Sequence, residues 1–236
     1  MFHRPARTAV SVLGIAVGVL LIVFTVGLAN GTIREQASRD ANVGAELRFS
    51  SSGTIGIGGT DAFRLSASIV DEIKQVEGVR TAVGIGQNSV DATDNNTGKR
   101  AIDGILFDEY SALSGLRLVQ GRAFTPGRDE AIIDTAFQRQ KRFKIGDTTQ
   151  IYERPFTIVG TYEPAGGPRI KIPLDVMQTQ LGSEGKISSA LVAIKPDTTV
   201  DAVGQRLQER FPEAQVIRMS DLEELYMAGI PAMNVF

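Results

Sequence analysis

The stretch A-V-S-V-L-G-I-A-V-G-V-L-L-I-V-F-T-V-G-L-A, residues 9–29, decides how the rest of the chain is read. It holds 21 residues without a charge. At about 1.5 Å per residue, a helix of that length spans ~31 Å, the thickness of a bilayer's hydrocarbon core. A buried helix of a soluble domain would carry a polar stripe. Here Ser11 and Thr25 are the only polar side chains, so we read a membrane-spanning helix in contact with lipid. A cleaved secretory signal is the competing reading, with Gly27-Leu28-Ala29 as a small-residue cleavage site. Such signals have apolar cores of about 7–15 residues, shorter than this run, so retention is the expectation. No cysteine is present to carry a lipid anchor.

Flanking charge sets the expected orientation. His3, Arg4 and Arg7 precede the run with no acid among them, whereas Arg34 and Arg39 beyond it are balanced by Glu35 and Asp40. The positive-inside rule then places residues 1–8 in the cytoplasm and everything after residue 30 outside the cell membrane.

Composition excludes several functions for the outer part. Net charge is −2 with 22% charged residues, which offers no nucleic-acid-binding surface. The single histidine, His3, lies before the apolar run, and there is no cysteine. Ser-His-Asp and Cys-His catalytic sites and the usual zinc clusters are therefore unavailable outside the membrane. The neighbouring acids Asp71/Glu72 and Glu223/Glu224 would diverge on a helix and read as solvated faces. The glycine-rich G-T-I-G-I-G-G (53–59) lacks the Lys-Ser/Thr of a phosphate-binding loop and the dinucleotide spacing, since position 61 is Asp. It reads as a loop. No catalytic, cofactor-binding or metal-binding residue is expected in this chain. Asn30-Gly31-Thr32 and Asn95-Asn96-Thr97 have the form of glycosylation acceptors.

The predicted fold class is α+β. Residues 30–42 continue the first helix as a polar extension. Strand-like alternation covers 43–50 and 79–93. Between them Ile69, Val70, Ile73 and Val76 recur at helical spacing after a Ser68-x-x-Asp71 capping pattern. The same grammar returns late. Strands are expected at 188–196 and 213–219, around a helix bearing Val200, Val203, Leu207 and Phe211 after Thr198-x-x-Asp201. Two such strand–helix–strand units, 43–93 and 188–219, can pair into one four-stranded sheet with both helices on one face. Residues 94–187 form an inserted β-rich subdomain, with strands expected at 100–107, 130–134, 148–152 and 155–162 and short helices at 134–143 and 174–182. Residues 220–236 begin with Ser220-x-x-Glu223 and end on an apolar run, which reads as the lead-in to a second spanning helix.

Taken in order, these segments resemble a known family. R-P-A-R-T-A-V-S-V-L-G-I-A-V-G-V (4–19), G-L-R-L-V-Q-G-R-A-F-T-P-G-R-D-E-A-I-I-D-T-A-F (115–137), K-I-G-D-T-T-Q-I-Y-E-R-P-F-T-I-V-G-T-Y-E-P (144–164) and the segments I-P-L-D-V-M-Q-T-Q-L-G and I-S-S-A-L-V-A-I-K-P-D-T-T-V carry the likeness. Together they are similar to the N-terminal half of MacB-like permeases of the FtsX superfamily of ABC transporters. The resemblance implies a non-enzymatic permease subunit with four spanning helices and an extracytoplasmic domain between the first and second. It also implies a cytoplasmic ABC ATPase as partner, with ATP bound there, a second permease copy, and a periplasmic adaptor as a further partner. ATP binding would move the helices, and the outer domain would receive that motion. The reading that needs no further helices is a single-pass anchored sensor or adaptor; a membrane-anchored hydrolase is the third.

Two groups of residues are singled out. Ser11, Gly14 and Gly18 place small side chains on one helix stripe, which lets a second helix approach closely. Gly121, Arg122, Gly146, Asp147 and Gly160 are read as turn-makers or turn-fixing side chains. The mature protein is expected to retain residues 9–29. Intact-mass measurement of the membrane-extracted chain checks this, and an N-terminus near Asn30 would contradict it.

Overall fold

The structure, a computed structural model, describes residues 5–52, 63–91 and 98–222. The glycine-rich run at 53–59, the acceptor at Asn95 and most of the expected lead-in at 220–236 fall outside the described residues.

A single helix, α1 (Pro5–Ala41), carries the apolar run and continues without a break through the polar extension. Nothing interrupts it, because no proline follows Pro5 within its span and no like-charge pair opposes the i,i+4 ladder. Glu35 and Arg39 form an i,i+4 ion pair at 2.8 Å near its end. From Val10 to Leu28 the large apolar side chains are exposed by 43% or more, so this face has no partner within the described residues.

The chain then builds strands and helices in this order: β1 (Leu47–Ser51), β2 (Leu65–Ser66), α2 (Ile69–Lys74), β3 (Val79–Asp91), β4 (Lys99–Ile105) and α3 (Phe107–Ser114). There follow β5 (Arg117–Gly121), β6 (Glu130–Asp134), α4 (Thr135–Lys141), β7 (Thr148–Ile151), β8 (Arg154–Glu163) and β9 (Ile170–Pro173). The last elements are α5 (Leu174–Gln180), β10 (Lys186–Ile187), β11 (Ser189–Ile194), α6 (Val200–Arg210), β12 (Ala214–Arg218) and a 3-10 turn, Met219–Asp221.

Ten of the strands form one mixed sheet in the order β12-β1-β11-β3-β4-β9-β6-β8-β5, with β7 also on β8. The four strands predicted for the two strand–helix–strand units lie side by side as β12-β1-β11-β3, but they do not end there as a separate sheet. The long strand β3 prevents it. Its first half, Val79–Ile85, pairs antiparallel with β11, and its second half, Gly86–Asp91, pairs with β4. The inserted segment is thereby sewn into the same sheet. There β4 runs parallel to β9 and β6 parallel to β8.

Three apolar clusters fill the layers. Val70 and Ile73 of α2 and Val203 and Leu207 of α6 pack with Leu47, Phe49, Ala82 and Val192. The alternate residues of those strands, Val83, Ile85, Leu191 and Ala193, face the other way. They share a cluster with Ile105, Ile132, Val159 and Tyr162 of the inserted segment, plugged by Tyr110 and Leu113 of α3. A third cluster joins Ile102, Ile133, Phe156, Ile170 and Ile172 to Phe137 of α4 and Met177 of α5. The period-2 alternation of the strands assigns each side chain to one of these layers.

Several local expectations are corrected. Ser68 precedes α2 but caps nothing: its backbone is helical, and its hydroxyl lies 2.8 Å from that of Ser66. The cap of α6 is Thr199, which accepts from the Ala202 N–H, while Thr198 donates to the Lys195 carbonyl. In α4 the Asp134 carboxylate accepts from the Phe137 N–H. Helix α3 was not expected, because the run 100–107 reads as a strand through its end. Strands β5 and β9 were also not expected; both are short and gain their definition from neighbours rather than from propensity. Ser220 lies in a 3-10 turn, Leu222 after it is helical, and the rest of the expected helix falls outside the described residues.

The sheet is narrowest in side-chain bulk where β3 changes partner. Gly86 and Gly104 are register partners, and a Cβ at either would lie 2.8–2.9 Å from the Met177 sulfur. Gly86→Val or Gly104→Val should destabilise the fold by about 1–3 kcal/mol through overpacking, read as a lowered midpoint in denaturant unfolding.

Candidate functional site

The last carbonyls of a helix have no partner within it. At the end of α1 one of them, that of Arg39, accepts from the Gly167 N–H at 2.8 Å. The donor belongs to the loop P-A-G-G-P-R (164–169) that runs from β8 into β9. The loop reaches the helix because it lacks side chains there. A Cβ at Gly166 would lie 2.8 Å from the Asn42 carbonyl oxygen. Gly167 has φ +62, and a Cβ there would lie 3.1 Å from Asp103 Oδ2. Arg169 completes the contact by pairing with Glu35 at 2.6 Å and reaching Gln140 at 3.3 Å.

Beneath this loop sits Lys171 of β9, with 0% of its side chain exposed. Its Nζ donates to Asp103 Oδ2 at 2.9 Å and to the carbonyls of Gly166 and Pro168 at 3.0 and 3.2 Å. Three donors thus meet three acceptors, and no ammonium proton is left over. The rings of Tyr110 and Tyr162 lie 4.8 and 5.6 Å from Nζ, and the Tyr162 hydroxyl donates to the Pro168 carbonyl. Burial is the largest influence on Lys171 and opposes its charge, but the Asp103 carboxylate together with Tyr110 and Tyr162 holds the amine protonated well above its ordinary range. Asp103 and Lys171 are register partners on parallel strands, so the sheet itself sets their separation.

The polar chain continues across the sheet. Asp103 Oδ1 accepts from Gln87 Nε2 at 3.3 Å, and Gln87 Oε1 accepts from Arg48 at 3.0 Å. The Gln87 N–H donates to Ser188 Oγ. β1, β3, β4, β9, the loop and the end of α1 are therefore joined by one buried network. Sequence reasoning missed it. Lys171 in R-I-K-I-P and Asp103 in A-I-D-G-I are single charges on the alternate face of an apolar strand, as solvent-facing residues are. The available signal was Ile105, an apolar residue on the same strand face as Asp103.

The residues singled out from sequence lie in three other places. Ser11, Gly14 and Gly18 are exposed on α1, and nothing lies within 4 Å of a Cβ placed on either glycine. Arg122 grips Glu130 with two bonds of 2.7 and 2.8 Å and also donates to the Ala123 carbonyl, while Glu130 accepts from the Thr125 N–H. The Arg122 guanidinium holds Glu130 down to about 2. Gly121 has φ +74, and Gly160 pairs with it across β5 and β8. Gly160 is therefore in mid-strand rather than in a turn. The two backbones meet so closely that a Cβ on Gly121 would strike the Val159 carbonyl at 2.1 Å. Gly146, with φ +97, opens a turn whose Lys144 N–H donates to the Asp147 carboxylate.

Among the described residues no group of acidic or histidine side chains could hold a metal. A cavity of about 660 Å³ near Ser89, Asp91, Lys99, Gln150, Tyr152 and Glu153 presents mixed polar side chains.

A helix of spanning length fused to this mixed sheet is matched by known proteins. The sequence profile of the MacB-like periplasmic core domain matches residues 8–210. The chain belongs to this family. MacB-like core domains are parts of ABC transporter-type permeases, and this one is an extracytoplasmic domain with an N-terminal apolar helix. The fold of this MacB-like domain is similar to the periplasmic region of MacB from Actinobacillus actinomycetemcomitans. That match has a TM-score of 0.55 and 15% identity and covers 79% of this chain and 94% of that one. It is also similar to the extracellular domain of the noncanonic ABC-type transporter YknZ from Gram-positive bacteria. There the TM-score is 0.51 and the identity 18%, covering 74% of this chain and 99% of that one. No curated relative matches the chain.

The Arg122–Glu130 pair sets a pH limit. A carboxylate whose pKa falls on folding, here from 4.5 to about 2, adds stability that is complete above 4.5 and is lost as pH falls through 2. Glu130→Gln should lower the melting temperature at neutral pH and flatten its decline between those values, measured by thermal unfolding across a pH series.

Proposed function

We propose that the chain supplies the first spanning helix and the outer domain of an ATP-driven permease. In this reading it passes helix movement in the cell membrane to the extracytoplasmic sheet. The observation that carries it is mechanical. α1 runs unbroken from the apolar stretch into its contact with the Gly166–Arg169 loop. A helix is stiff along its axis, so displacement at the membrane arrives at the sheet rather than being absorbed in a linker. The N-terminus is cytoplasmic in this reading, by the charge asymmetry of residues 1–8 against 30–42.

The partners follow from the same reading. ATP hydrolysis occurs on a cytoplasmic ABC ATPase. A second permease copy meets the Ser11, Gly14 and Gly18 stripe or a neighbouring helix does, and a periplasmic adaptor docks outside. Affinity purification of the tagged chain from its own membranes is expected to recover an ATPase. Recovery of a monomer with no ATPase, bound instead to a small ligand, would favour an anchored sensor.

A further inference from the structure

The long helix meets the two parts of the sheet differently. Chain continuity through Asn42–Glu46 carries it directly into β1. Its hold on β9 is non-covalent, through the Gly167 N–H on the Arg39 carbonyl and Arg169 on Glu35. The Arg169–Glu35 pair is partly exposed and holds little by itself. What keeps the loop in place lies below it. Lys171 Nζ satisfies two of the loop's inward carbonyls, and Asp103 balances its charge in a site closed to water. Without the ammonium, the Gly166 carbonyl and Asp103 Oδ2 would lose their bond in that dry site, while the Pro168 carbonyl would keep only Tyr162 and Asp103 Oδ1 only Gln87.

We propose that the Lys171–Asp103 pair is the pin that fixes how the end of α1 is seated on the sheet. Both are positioning residues. They act on the helix through the Gly166–Pro168 backbone and touch no cargo. The inference deepens the coupling reading by naming where the load enters the inserted segment. The network is contiguous from the helix end to the fourth strand away, as a transmitted displacement requires.

The chain has no cysteine, so introduced thiols label it specifically. Spin labels at Ser38→Cys and Thr148→Cys report helix against inserted segment. Labels at Ser38→Cys and Asp197→Cys report helix against the β11–α6 turn, and labels at Thr148→Cys and Asp197→Cys report the sheet alone. The full permease with its ATPase is measured by pulsed electron resonance, first without nucleotide. The native pair should give single narrow distances for all three. Lys171→Met with Asp103→Leu replaces the ion pair with apolar side chains, an exchange often neutral for stability. It should broaden Ser38–Thr148 and Ser38–Asp197 and leave Thr148–Asp197 narrow, because one sheet joins those two sites. Asp103→Asn keeps the shape without the charge and should broaden the two helix distances alone. It serves where the double variant does not fold. Narrow helix distances in the folded variants, or broadening of Thr148–Asp197 along with them, overturns the pin. ATP is added last. If neither native helix distance responds to it, the coupling reading fails, while the nucleotide-free comparison still decides the pin.

Discussion

A protonated amine closed off from water sits where the sheet meets the long helix, and the rest of the joint is arranged around it. Removing an ammonium from water is tolerated only when its charge is balanced and its protons are all placed. Asp103 supplies the balance, and the Gly166 and Pro168 carbonyls take the remaining protons. The geometry of that loop is then no longer free. It must carry glycines at 166 and 167 to pass between the helix end and Asp103, and its outward N–H is left pointing at the Arg39 carbonyl. One buried charge thereby specifies a loop, and the loop specifies how α1 leaves the domain.

The sheet supplies the rigid background for this arrangement. β3 is shared by two sets of partners, and the central cluster draws side chains from both. A hinge between the inserted segment and the first strand–helix–strand unit would have to break that shared core. Movement delivered at the helix end would meet a body that resists internal bending.

Much of the fold was legible. The apolar run, the strands at 130–134, 148–151 and 189–194 and the helices α4, α5 and α6 follow from residue pattern: β6 and β11 are apolar runs buried on both faces, while β7 alternates and the helices bury one side. Other elements were not legible. β5 is exposed along most of its length and β9 runs straight into α5, and Ser68 has the right neighbours for a cap but the wrong backbone angles. The joint was least legible of all. Alternation marks Asp103 and Lys171 as polar positions, but it carries no information on whether α3 and a loop will cover that face.

The sequence by itself determined that a helix of bilayer length precedes an α+β domain with no histidine or cysteine, since length, charge and residue identity are local properties. It also determined which faces of the strands are apolar. Only the tertiary structure decided that one sheet runs through both parts of the domain. Only it, too, decided that a lysine and an aspartate, far apart in the chain, become register partners inside it. The physical reason is that strand pairing and burial depend on which segments meet, and the partner of a charged side chain is chosen by the topology, not by its neighbours along the chain.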